Sequence, residues 1–129
     1  MIPAVIVCHG SLGEAYLQAL EAIYGEASDL DAVSNVGLSA EALQRAVAER
    51  IARFRAGGIA FADYFGGSCA TACLAVMSGR SDIHLISGVN LPMLLYYLAH
   101  RREMGIKDLV QGILERGQSS IRELAPPRC

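Results

Sequence analysis

The sequence has little with which to hold a nucleic acid, a membrane or an extracellular disulfide framework. Lys and Arg number 11 against 13 Asp and Glu, for a net charge of −2 and a pI near 5.9. No face is basic enough to follow a phosphate backbone, so nucleic acid is not an expected partner. The apolar runs are too short to cross a bilayer, and direct membrane insertion is not expected. No basic segment followed by a long apolar region opens the chain, so neither is a signal peptide. Linkers, internal repeats and low-complexity tracts are missing, and residues 1–129 read as a single domain. The four cysteines, Cys8, Cys69, Cys73 and Cys129, include no CxxC pair. Without a secretory context they read as reduced thiols of a cytoplasmic protein.

What is present is a chain that is 53% apolar and 19% charged over 129 residues, enough for a sizeable core. Residues 2–8, IPAVIVC, are nearly all apolar, which predicts a central parallel strand covered on both faces. Ala15, Leu17, Leu20 and Ile23 lie near helical spacing and predict a helix over 13–24, ended by Gly25. DAVSNV, 31–36, reads as a weaker strand. Ser39 then caps a helix that Gly57-Gly58 breaks. IAFADYF, 59–65, reads as a third strand, followed by Gly66-Gly67-Ser68 and a short helix of small residues. HLISGVN, 84–90, reads as a fourth, and Pro92 suits the first turn of the helix PMLLYYLAHRRE. After Gly105, residues 106–124 read as a last helix or helix pair, with Gly112 and Gly117 as weak points and a loose tail beyond. Strands alternate with helices. The expected fold is α/β: a doubly wound, mostly parallel four-stranded sheet with helices on both faces.

Ligands of such sheets bind outside the carboxyl ends of the strands. Three loops there carry suggestive residues: Cys8-His9-Gly10-Ser11, Asp63 with Gly66-Gly67-Ser68, and Gly88-Val89-Asn90. A neutral imidazole nitrogen is a good nucleophile near neutral pH. It needs its other nitrogen held by an acceptor, and Asp63 would fix the tautomer. Glycines and a serine at a strand–helix turn offer N–H groups and a hydroxyl to an anion. Histidine, carboxylate and anion cradle together fit phosphoryl transfer through a phosphohistidine, which depends on positioning and charge stabilisation. Each piece has a plainer alternative. His9 could be a structural hydrogen-bonder, Asn90 a helix cap, and His84 and His100 structural or solvent-facing. Cys8, His9, Cys69 and Cys73 could form a thiol or metal module, although zinc sites favour tighter CxxC pairs and no metal or cofactor is expected. A domain that grips an anion without chemistry is the other alternative.

In order and spacing, VIVCHGSLGEA, FADYFGGSCATA and ISGVNLPMLL resemble the mannose-type (mannose/fructose/sorbose) IIA component of the bacterial phosphoenolpyruvate-dependent sugar phosphotransferase system. The resemblance covers essentially the whole chain. It implies that His9 takes a phosphoryl group from the histidine-phosphocarrier protein and passes it to a IIB protein or domain. It implies that Asp63 orients the histidine and that Ser68 lies beside the phosphoryl group. Gly10, Gly66, Gly67, Val89 and Asn90 complete the expected binding set. It further implies a homodimer that exchanges a C-terminal strand, which would lie between Met104 and the C-terminus. Cys69 and Thr71 stand where the family usually has proline and asparagine, and HGSLGEA departs from the usual HGxLAxG. These departures bear on loop shape, on the choice of IIB partner and on sugar transport more than on phosphorylation. A thiol at Cys69 could make the site redox-sensitive. A stand-alone regulatory relative, signalling by its phosphorylation state, fits the same residues.

Overall fold

Five consecutive apolar residues, Ala4–Cys8, form β1, and all five are buried. The computed structural model describes residues 1–128. Around β1 it sets β2 (Asp31–Ser34), β3 (Gly58–Ala62) and β4 (Ile83–Ser87), with α1 (Leu12–Ile23), α2 (Ala40–Ile51), α3 (Ser68–Met77), α4 (Leu91–His100) and α5 (Ile106–Ser119). The sheet is parallel throughout, in the order β2-β1-β3-β4. Its register pairs Val7 with Ala62 and Cys8 with Ser34, so the carboxyl ends of the three strands β1, β2 and β3 finish side by side.

The two-residue period of the strands sorts the core into two layers. Ala4, Ile6 and Cys8 of β1 and Ile59 and Phe61 of β3 join Leu20, Leu94, Tyr97, Leu109 and Ile113, from α1, α4 and α5. Val5, Val7 and Ala60 face the other way, onto Leu43, Val47, Cys69 and Cys73, from α2 and α3. This is the expected doubly wound arrangement. It puts Cys8 in one layer and Cys69 and Cys73 in the other.

Capping follows the sequence at two helices. Ser39 Oγ accepts from the N–H of Ala42 at 3.1 Å, and Asn90 Oδ1 accepts from the N–H of Met93 at 3.1 Å. Several ends differ from expectation. β3 stops at Ala62, so Asp63, Tyr64 and Phe65 leave the ladder, and β2 stops at Ser34. α4 ends at His100 rather than running on to residue 103. α5 is one continuous helix through Gly112 and Gly117. A Cβ at Gly112 would overlap the Tyr96 hydroxyl, and one at Gly117 would meet the Met93 side chain at 2.5 Å. These glycines let α5 approach α4 closely, and that packing outweighs their low helix propensity. α5 closes at Ser119, and residues 121–128 form neither helix nor strand.

Gly57 enters β3 with φ +97°, and a Cβ there would meet the backbone oxygen of Asp82 at 2.6 Å. Gly57→Ala is therefore expected to cost at least about 1–2 kcal/mol from the positive φ alone, with the backbone overlap added. Urea denaturation at constant m-value checks this; an unchanged midpoint would contradict it.

Candidate functional site

The chain leaves β1 toward β2 on one side and later places β3 on the other, so the strand order reverses between β1 and β3. In doubly wound sheets this reversal opens a crevice at the carboxyl ends. His9 is the first residue after β1, Asp63 the first after β3, and Ser68 the first residue of α3. The structure brings these three together.

One oxygen of Asp63, Oδ2, serves His9 twice. It accepts from the His9 backbone N–H at 2.9 Å and lies 2.7 Å from ring Nδ1. The other, Oδ1, accepts from the N–H of Tyr64 at 3.2 Å. Burial pushes the Asp63 carboxyl up. The His9 N–H and ring hydrogen bonds, the His9 charge and the backbone N–H of its own loop outweigh that and hold it below its ordinary value of 3.8. Asp63 is thus a carboxylate at neutral pH and only accepts, so Nδ1 carries the proton. In the neutral ring the lone pair then belongs to Nε2, 3.0 Å from Ser68 Oγ. The Asp63 side chain is 9% exposed and that of His9 32%. The carboxylate is covered and the imidazole is partly exposed. Chemically, the arrangement is an oriented imidazole with a single basic nitrogen beside a hydroxyl.

The surrounding loops hold the ring in place. Gly10 has φ +60°, a conformation that favours glycine. Its N–H donates to Asn35 Oδ1 at 3.0 Å, and its carbonyl accepts from Ser34 Oγ at 2.7 Å. Tyr64 lies over the His9 ring at 5.2 Å between centroids. Gly66 makes the turn with φ +85°, and Gly67 caps α3 in extended geometry. A Cβ on Gly67 would meet the Tyr64 ring at 2.7 Å, so the glycine makes room for the aromatic. Val89 is used through its backbone: its N–H donates to the Ala62 carbonyl at 3.1 Å and its carbonyl accepts from Tyr16 Oη at 3.0 Å. The Asn90 side chain caps α4. Val89 and Asn90 thereby brace the third loop. Ser34, Asn35 and Tyr64 are missed by the sequence reading, which assigns all three to strand interiors. The signal was present as polar or turn-compatible residues at the carboxyl end of a strand.

A sequence profile described as "EIIA-man: PTS system fructose IIA component" matches residues 4–114. The chain belongs to the mannose-type IIA family. It is 28% identical over 131 residues to the PTS system fructose-specific EIIA component of Bacillus subtilis (strain 168), covering 95% of this chain and 86% of that protein. Its structure is similar to phosphotransferase system component EIIA from Streptococcus agalactiae, with TM-score 0.88, 25% identity and coverage of 95% of this chain and 97% of that one. The mannose/sorbose-specific IIA subunit from Enterococcus faecalis shares the fold, with TM-score 0.85 at 20% identity over 100% of this chain and 99% of that one. Among the described residues no helix of this IIA-family chain is long and apolar enough to cross a membrane.

Two of the departures from the family pattern, Thr71 and Cys69, lie in the first turn of α3. Thr71 Oγ1 donates to the Gly67 carbonyl at 3.0 Å, closing the first turn of α3. Cys69 is fully buried in the layer under α2 and α3. Burial, with Asp63 nearby, pushes its thiol up to about 11, and burial pushes those of Cys8 and Cys73 up to about 12. The Cys8, His9, Cys69, Cys73 constellation is not assembled as one set, since the sheet separates Cys8 from the other two thiols.

The folded Asp63 carboxyl titrates below its unfolded value of 3.8. Its contribution to stability is complete above that value and is lost as pH falls through the folded one. Asp63→Asn is expected to be less stable than wild type at neutral pH, with the gap closing below about pH 4. Denaturation across a pH series checks this; a constant gap into strong acid would contradict it.

Proposed function

We propose that this chain is a phosphohistidine carrier of the sugar phosphotransferase system, acting in the cytoplasm. It accepts a phosphoryl group from the histidine-phosphocarrier protein on His9 and passes it to a IIB component. The observation that carries this reading is the double hold of one Asp63 oxygen on His9. That hold leaves Nε2 as the nucleophile.

In the transfer, the Nε2 lone pair attacks phosphorus. The new N–P bond forms as the donor's N–P bond breaks, and the leaving imidazole of the donor keeps the electron pair. The proton stays on Nδ1 and is donated to Asp63, whose charge stabilises the positive charge the ring acquires. The Ser68 hydroxyl then donates to a phosphoryl oxygen. Ser68 also opens α3, so the N-terminal amides of a ten-residue helix lie on the side where negative charge gathers. Transfer to IIB is the same step run onward. The rim favours protein partners over a small substrate: Leu12 at the start of α1, and Val36, Leu38, Tyr64 and Phe65 from the loops after β2 and β3, are all exposed, Phe65 to 90%.

The same reading includes a homodimer with exchanged C-terminal segments. β4 is an edge strand, and beside it lies an apolar groove of about 550 Å³ lined by Phe65, Leu74, Leu85, Val110 and Leu114. Residues 121–128 are outside any element and expose Ile121 and Leu124. An unpaired strand edge next to an unclaimed apolar segment is the situation strand exchange resolves.

Incubation with phosphoenolpyruvate, the first enzyme of the system and the histidine-phosphocarrier protein is expected to add one acid-labile phosphate, read by intact mass. His9→Ala should take none while keeping its fold. Asp63→Asn should still bind the carrier but accept phosphate on the order of 10²–10⁴-fold more slowly, because the orienting charge is gone. Ser68→Ala should lose less. Full acceptance by His9→Ala would refute the assignment.

For the dimer, light scattering should give twice the chain mass, and removal of residues 121–129 should give a monomer. A monomeric full-length chain would refute the exchange.

A further inference from the structure

We infer that His9, Asp63 and Cys69 form a zinc site whose occupation excludes phosphoryl transfer at His9. The regulatory meaning rests on the phosphocarrier reading; the metal binding does not. One ligand atom from each of the three side chains lies within 4.8 Å of the others. The donors are an imidazole nitrogen, a carboxylate oxygen and a sulfur. Zinc takes all three, at roughly 2.0–2.1 Å for nitrogen, 2.0–2.2 Å for oxygen and 2.3 Å for sulfur. In a tetrahedron those bonds set donors roughly 3.3–3.6 Å apart, so small side-chain shifts close the set. Nitrogen and sulfur donors disfavour magnesium and calcium, which take oxygen. The three ligands come from the end of β1, the end of β3 and the first turn of α3. Strands and a helix fix such positions better than free loops. The fourth position falls to solvent, which reaches the partly exposed ring, or to the neighbouring Ser68 hydroxyl.

Binding needs no oxidant. Zinc displaces the proton of Cys69 Sγ to solvent, Asp63 is already a carboxylate, and His9 coordinates as the neutral ring. Either ring nitrogen gives the same outcome. Coordination through Nε2 uses the lone pair that would attack phosphorus. Coordination through Nδ1 moves its proton to Nε2 and abolishes the tautomer Asp63 enforces. Zinc and phosphate therefore exclude each other on this histidine, and each must weaken the other's hold. Cys8 and Cys73 stand outside the cluster, which makes Cys73 the natural control.

The test is zinc binding to the metal-free, unphosphorylated protein by competition with a chromophoric chelator, with cobalt(II) spectra in parallel. One zinc per chain and a sulfur-to-cobalt charge-transfer band are expected. Cys69→Ala should lose the band and bind zinc at least about 100-fold more weakly, while Cys73→Ala keeps both; circular dichroism checks that each variant is folded. A missing band, or unchanged affinity in folded Cys69→Ala, would overturn the site. Phosphate acceptance by wild type is measured separately, in chelator and in added zinc. Acceptance in chelator that zinc suppresses supports the inference, and acceptance that bound zinc leaves untouched overturns the exclusion. Acceptance by a protein that binds no zinc overturns this inference alone. Zinc held through Cys69 with no acceptance in chelator overturns the phosphocarrier reading and leaves the metal site standing.

Discussion

The site depends on one oxygen atom. Asp63 Oδ2 ties the backbone of His9 and its ring to the same point. The backbone bond locks the end of β1 to the end of β3, and the ring bond fixes rotation and tautomer. Orientation of the imidazole is therefore inherited from the register of two central strands, whose side chains are wholly buried between helical layers. A covered carboxylate is costly unless fully paired. Asp63 meets that condition by accepting on both oxygens, the second from Tyr64. Preorganisation of this kind is what phosphoryl transfer asks of a protein, because there is little other chemistry for side chains to perform.

The histidine, the carboxylate and the serine were legible because each carries its own signal. His9 closes an unbroken apolar run, Asp63 is a charge among apolar residues, and Ser68 follows a glycine pair. The alternation of apolar runs with helical spacing was enough to anticipate the layered sheet. The props were not legible. Tyr64 and Asn35 lie in stretches whose composition suits a strand, and only three-dimensional hydrogen bonding shows that the strands stop short of them. The Asp63 Oδ1 bond to Tyr64 turns the chain out of the ladder, and that local competition cannot be read from apolar pattern alone. Asn90 was open between ligand and cap, and its bond to Met93 makes it a cap. Gly112 and Gly117 misled in the other direction. Propensity marked them as breaks, whereas contact with Tyr96 and Met93 makes them the reason α5 can lie flat on α4.

The fold also separates its duties by position. The carboxyl pole of the sheet carries the polar site and an exposed apolar rim. The opposite pole is held by rigid polar contacts: Tyr97 Oη donates to the Ile2 carbonyl at 2.6 Å, and the buried Arg101 guanidinium reaches Asp29 at 3.0 Å. Placing His9 where strand order reverses lets loops from both halves of the sheet reach it without either layer being opened.

The two-layer division of the thiols also makes the chain its own reporter of breathing motions. Cys8 lies in the layer of α1, α4 and α5, and Cys69 and Cys73 lie in that of α2 and α3. Buried and protonated at neutral pH, Cys8 and Cys73 offer no thiolate to an alkylating reagent until their own layers part from the sheet. The order in which they become modified would read out which face of the sandwich loosens first, as amide exchange does for backbone segments. A chain that holds its histidine rigidly thus carries, in its unreactive sulfurs, a record of where that rigidity gives way.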